Sequence, residues 1–164
     1  MVDIEEKRLV FVDELRYAME CEKMRPIDVY NHCRISQNSF SNYLQGKTFP
    51  NLWLMVLIAD LFGCTVNELL DYDFADEDEL VGYDPFNTFD GEDEFACHVR
   101  NRLDNYMTRM NISVNELSEK SGFNTHTIRR WLGVSKKGSE LPRTSDFLKL
   151  CDALGCTPSD LLGY

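Results

Sequence analysis

Gly63-Cys64-Thr65-Val66-Asn67-Glu68-Leu69-Leu70 returns 92 residues later as Gly155-Cys156-Thr157-Pro158-Ser159-Asp160-Leu161-Leu162, with five of the eight positions identical. Upstream of that match the register is 88: Leu15/Leu103, Met19/Met107, Met24/Ile112, Val29/Leu117, Phe40/Ile128, Tyr43/Trp131 and Leu44/Leu132. The four-residue difference falls between Leu44 and Pro50 in the first copy and between Leu132 and Pro142 in the second. A loop between helical units is where a length change is tolerated. The chain therefore reads as two copies of one unit of roughly 60 residues, because fixed-period self-similarity signals a repeated structural module.

Each copy predicts five short helices. In the first, Phe11, Leu15 and Met19 recur every four residues, giving one apolar helical stripe; in the second the stripe is Phe95, Val99, Leu103 and Met107. A short helix follows from Pro26 to about His32, with proline in the favoured first turn. Its counterpart runs from Val114 to about Lys120, with Ser113 and Glu116 as a capping box. The turns Cys33-Arg34-Ile35-Ser36 and Ser121-Gly122-Phe123-Asn124 come next, ending in the N-caps Ser36 and Asn124. These open third helices over Gln37–Leu44 and Thr125–Leu132. Fourth helices are expected over Leu52–Phe62 and Ser145–Leu154, each closed by a glycine, and a last short helix holds Asn67–Leu70 and Ser159–Leu162.

Charge divides the chain unevenly. Residues 1–73 carry 7 basic and 12 acidic groups, net −5; residues 74–94 carry none and 9, net −9; residues 95–164 carry 10 and 7, net +3. The whole-chain charge of −11 argues against nucleic acid. It comes mostly from the middle segment, however, and the second copy is mildly basic. The domains are expected at 1–73 and 95–164, joined by an acidic linker over 74–94.

Two short helices, a tight turn and a capped third helix rich in polar side chains form the helix-turn-helix pattern. In the third helices Phe40, Tyr43 and Leu44, and Ile128, Trp131 and Leu132, are the expected core anchors. Gln37, Asn38, Ser39, Ser41 and Asn42 then face out in the first copy, and Thr125, His126, Thr127, Arg129 and Arg130 in the second. Amides and guanidiniums make paired hydrogen bonds to base edges in the major groove, and hydroxyls reach bases or phosphates. Lys47, Lys136, Lys137 and Arg143 fall in the loops beyond, where they can touch phosphates and set register.

Both units resemble the Cro/CI-like (XRE, lambda-repressor-like) helix-turn-helix family, over about 15–72 and 99–164. The residues that carry the resemblance are Ser36-Gln37-Asn38-Ser39-Phe40-Ser41-Asn42-Tyr43-Leu44-Gln45-Gly46-Lys47 with Pro50, and the repeated Gly-Cys-Thr-x-x-(Glu/Asp)-Leu-Leu endings. The resemblance implies an all-α fold of two five-helix domains in tandem. It also implies third helices that enter the major groove of double-stranded DNA, dimeric binding, and a role in transcriptional regulation. Pro26 and Val114 stand where the family commonly has glutamine, Tyr30 and Ser118 where it commonly has alanine, and Arg34 where the turn has glycine. An arginine at a positive-φ position is strained, so the first turn is expected to be altered and the second copy to be the main reader.

A second class of function fits the acidity. On that reading the scaffold is a protein-interaction module or an acidic DNA mimic, of the anti-nuclease or anti-CRISPR-like kind that mobile elements carry, with a bacterial or phage setting. The segment from Asp71 to Leu80 with Tyr83, Phe86 and Phe89 is its main support. The same segment is also readable as a solvated connector, or as a flap over a positive face.

Other classes lose support. No apolar run approaches the roughly 20 residues of a membrane helix, and Met1–Tyr17 lacks a signal-peptide core. Cys21, Cys33, Cys64, Cys97, Cys151 and Cys156 are scattered without a CxxC, so zinc is not implied and mostly buried, reduced thiols in a cytoplasmic protein are expected. Cys97-His98 is a lone adjacent pair. His32, His98 and His126 lie in different predicted helices, without the partners a catalytic triad needs. Neither an enzyme nor a cofactor is implied, and Trp53 and Trp131 read as core packing.

Overall fold

The computed structural model describes residues 1–72, 88–134 and 140–163, and these are helical with no strand among them. The chain divides near residue 77 into two compact units.

In the N-terminal unit α1 spans Ile4–Cys21, α2 Pro26–His32, α3 Gln37–Leu44, α4 Leu52–Leu61 and α5 Val66–Leu69. Each start has a local cause. Asp3 Oδ1 accepts the Glu5 and Glu6 amides at 3.0 and 3.2 Å, Ser36 Oγ the Ser39 amide at 3.1 Å, and Asn51 Oδ1 the Leu54 amide at 2.9 Å. Pro26 occupies the first turn of α2. Helix α1 packs on α3 and α5. It buries Phe11, Val12, Leu15 and Met19, the predicted stripe plus one neighbour. Each such side chain contributes on the order of 1.5–3 kcal/mol. Helix α4 is apolar nearly all round and buries six of its ten residues, so it is the centre of this core.

In the C-terminal unit α6 spans Glu92–Arg109, α7 Val114–Ser121, α8 Thr125–Trp131, α9 Thr144–Leu154 and α10 Pro158–Leu162. The stripe Phe95, Val99, Leu103 and Met107 is buried. The predicted capping box forms: Ser113 Oγ accepts the Glu116 amide at 3.2 Å and the Ser113 amide donates to Glu116 Oε2 at 2.7 Å. Thr157 and Asp160 make another at α10. Helix α9 packs on α7 and α10, and α10 on α6.

Positive-φ residues recur at corresponding positions: Lys23/Asn111 (53° and 52°), Arg34/Gly122 (55° and 76°), Gly63/Gly155 (63° and 68°) and Asp71/Gly163 (48° and 74°), with Gly46/Gly133 (66° and 71°) one residue out of register because α8 ends at Trp131. Gly91 alone has no such counterpart among the described residues. The reversals carry the same bonds: the Met24 amide to the Met19 carbonyl and the Ile112 amide to the Met107 carbonyl, both 2.9 Å; the Cys64 amide to the Ala59 carbonyl and the Cys156 amide to the Cys151 carbonyl, both 3.0 Å.

Several expectations are corrected or made finer here. The turn at Arg34 keeps the left-handed φ of Gly122 but not its hydrogen bonds, since the Phe123 amide bonds Ser121 Oγ and not the Ser118 carbonyl. Arg34 accepts the left-handed conformation, since the Ile35 amide bonds the Tyr30 carbonyl at 2.8 Å and the buried Ile35 side chain anchors the segment. Residues 92–94, expected at the end of the linker, are the acidic first turn of α6, where the helix dipole favours them. Two aromatics credited to the acidic segment pack locally. Lys7 Nζ lies 4.0 Å from the Tyr72 ring centroid, and Phe89 is buried with its ring 5.5 Å from Phe95 and 5.1 Å from His98. Residues 73–87, with Phe74, Tyr83 and Phe86, lie outside the described residues. The thiols are free but not mostly buried: Cys33 and Cys151 are buried, Cys64 and Cys156 half-buried, Cys21 and Cys97 exposed. Trp131 is buried, while Trp53 is only half-buried.

Candidate nucleic-acid interface

Helix α8 is held as a platform from three sides. Ile128 and Trp131 point into the core. The Phe123 ring, in the turn before it, meets Trp131 edge-on at 4.9 Å. The turn itself is fixed by Gly122 at φ 76°, by the Gly122 amide bonded to the Ser118 carbonyl at 2.9 Å, and by Ser118 Oγ donating to the Phe123 carbonyl at 2.6 Å. Ser118 thus does work that alanine at that position could not. At the far end the Arg100 side chain lies across Gly133, where a Cβ would stand 2.8 Å from Arg100 Cδ and Nε. Gly133 is favoured by its positive φ, while a Cβ there would displace only the flexible end of Arg100.

With Ile128 and Trp131 inward, a rotation of about 100° per residue sets the rest. Thr125, His126, Arg129 and Arg130 share one outward arc, with Thr125 and Arg130 half-buried at its flanks, and Thr127, also half-buried, lies next to Trp131. His126 and Arg129 are exposed, and Arg129 has no ion pair among the described residues. Arg130 Nη2 donates to the Glu140 carboxylate, which this guanidinium holds below the usual carboxylate range. Arg143 is exposed at the N-cap of α9. Lys136 and Lys137 lie outside the described residues.

Helix α3 of the N-terminal unit divides the same way. Gln37, Asn38, Ser41 and Asn42 share the outward arc, with Gln37 and Asn38 exposed and the other two half-buried. Ser39 is turned to the edge and accepts a hydrogen bond from Ser36 Oγ at 2.8 Å. Ser41 Oγ accepts from Gln45 Nε2 at 2.9 Å. Lys47 is exposed just beyond, and α3 itself carries no cationic side chain. A cavity of about 290 Å³ between α6 and α10 is lined by Arg102 and Arg109, but Arg102 already donates to the Leu161 and Asp160 carbonyls at 3.2 and 2.6 Å.

Sequence reasoning missed Ser118, Phe123, Arg100 and Glu140 as parts of this site. Arg100 left a signal, because the corresponding residue of the first copy is the buried Val12. Glu140 left one too, since it lies in the interval that is four residues longer in the second copy.

Among the described residues no three of His, Cys, Asp and Glu gather where they could hold a metal ion. His98 is engaged with the Leu162 carbonyl at 2.8 Å, while Cys97 is exposed. No described helix is long and apolar enough to cross a membrane. Neither a search of curated proteins nor one of solved structures returned a match. Residues 102–164, within the C-terminal unit, match the family model of the Cro/C1-type HTH DNA-binding domain.

Proposed function

We propose that this chain is a sequence-specific DNA-binding transcriptional regulator, with α8 in the major groove as its dominant reader. The observation that carries this reading is the outward arc of Thr125, His126, Arg129 and Arg130 on a helix whose opposite face is locked into the core. Arg129 and Arg130 are suited to guanine edges, Thr125 and His126 to bases or phosphates at the entry of the helix, and Lys136, Lys137 and Arg143 to the flanking backbone. The net +3 of residues 95–164 supplies the phosphate attraction on which such binding depends.

We further read the N-terminal unit as a second, divergent domain of the same kind, so that one chain mimics a dimer and reads a non-palindromic site. The paired positive-φ residues support this. Its contribution is minor, because Gln37, Asn38, Ser41 and Asn42 offer no charge and residues 1–73 sum to −5. That same acidity favours a second reading for this unit: a docking surface for a basic partner protein, or a DNA mimic.

Selection of bound duplexes from a random pool by the full chain tests the main reading. A consensus should emerge. Arg129→Ala with Arg130→Ala should weaken binding to it by about 10–100-fold, and Gln37→Ala with Asn42→Ala by less than about threefold. No enrichment at 50 mM salt, a condition that favours binding by basic side chains, would remove the reading.

A further inference from the structure

The ion pair between Arg130 and Glu140 joins the outward arc of α8 to the segment just before α9. It is a surface pair, with the arginine side chain 34% exposed and the glutamate 60%. Glu140 has no counterpart in the N-terminal unit. Leu44 to Pro50 is bridged by Gln45-Gly46-Lys47-Thr48-Phe49, without a carboxylate, whereas the interval from Leu132 to Pro142 is four residues longer and contains Glu140. Arg129, its neighbour on the arc, is exposed and has no ion pair among the described residues. The two guanidiniums are therefore not equivalent: one is open to a ligand and the other is already neutralised.

We propose that Glu140 is an affinity-setting residue, a carboxylate latch that competes with duplex DNA for Arg130. The proposal rests on the DNA-binding reading above. On random sequence Arg130 has only phosphates to gain. Glu140 occupies its guanidinium, so the pair stays closed and affinity is low. On a matching site a guanine edge offers two acceptors in the fork geometry of the guanidinium, which a single carboxylate contact at a solvated surface does not outweigh. The pair then opens, and the cost of opening it is subtracted from the affinity for that site. The latch can work because exposed ion pairs are weak. A buried one would hold Arg130 against every duplex.

Fluorescence anisotropy on the full chain tests this with four proteins: wild type, Glu140→Gln, Arg130→Ala and the double variant. Each is titrated with a random-sequence duplex and with a selected duplex between 50 and 200 mM salt, the range over which phosphate contacts separate. Glu140→Gln should tighten random-duplex binding about fivefold and steepen its salt dependence by about 0.9 in log–log slope, one added phosphate contact. Binding to the selected duplex should tighten by at least as much, because the wild type must break the pair to reach the matching base. In the Arg130→Ala background the gain on random duplex should vanish. Unchanged affinities and slope in Glu140→Gln, or a gain that persists without Arg130, would overturn the latch while leaving the DNA-binding reading in place. Failure of all four proteins to bind either duplex would overturn both. Thermal melts within about 2 °C of wild type, as expected for exposed surface substitutions, confirm that the variants are folded.

Discussion

Arg16 on α1 donates through Nη2 to the Leu44 carbonyl at 2.7 Å, so a cation from the first helix closes the C-terminal end of α3. In the C-terminal unit no such bond is made from the matching position. Asp104 corresponds to Arg16, and Arg100, one turn earlier on α6, lies across Gly133 just past the end of α8. The carbonyls at the end of α5 are likewise taken by Lys7 Nζ, at 3.0 and 2.9 Å from those of Leu70 and Asp71, and those of α10 by Arg102 and His98. Orphan carbonyls at a helix end require a donor, and a cation there also faces the negative end of the helix dipole. Arg16→Ala should therefore fray α3 and cost about 1 kcal/mol, a charged hydrogen bond discounted for exposure. Chemical denaturation followed by circular dichroism checks this.

Arg34 at φ 55° and Gly122 at φ 76° occupy corresponding turns. A side chain in the left-handed region costs about 1–2 kcal/mol relative to glycine. Arg34→Gly should therefore stabilise the N-terminal unit by about 1 kcal/mol, while Gly122→Ala should destabilise the C-terminal unit by a similar amount. Thermal melts of the two variants should move in opposite directions.

The fold was legible in the sequence wherever local chemistry decides it. The stripe from Phe95 to Met107, the Ser113–Glu116 box and the caps Ser36 and Asn124 follow from spacing alone, and each forms. The outward arc was legible less finely. Ser39 and Thr127 are half-buried like Ser41, Asn42 and Thr125, an ordering that residue spacing alone does not give. Glu140 was not legible, because its partner is ten residues away across a loop whose path no periodicity describes. At the Arg34 turn strain was weighed, but the buried Ile35 that offsets it was not.

The Glu116 carboxyl sits below the ordinary carboxylate range because the Ser113 amide donates to it. A group whose folded pKa is depressed stabilises above its unfolded pKa and loses that contribution as pH falls through the folded value. The start of α7 should thus loosen on acidification from pH near 5 downward, the range in which an unfolded glutamate takes up its proton. Glu116→Gln should flatten that part of the acid profile, measured as hydrogen-exchange protection around residues 114–118.

Burial pushes the Cys33 thiol up to about 11 and the Cys64 thiol up to about 12. Both stay protonated and unreactive at neutral pH, whereas Cys21 and Cys97 are exposed. Alkylation at pH 8 read by mass spectrometry should modify Cys21 and Cys97 first, and Cys33 and Cys151 only on unfolding.

The central claim is that α8 carries the duplex contact. Backbone amide shifts of the labelled full chain, followed as a selected duplex is added, map that contact directly. The largest changes should fall on residues 113–134 and on Arg143. Changes concentrated in residues 2–72, with Thr125 to Trp131 unmoved, would contradict it.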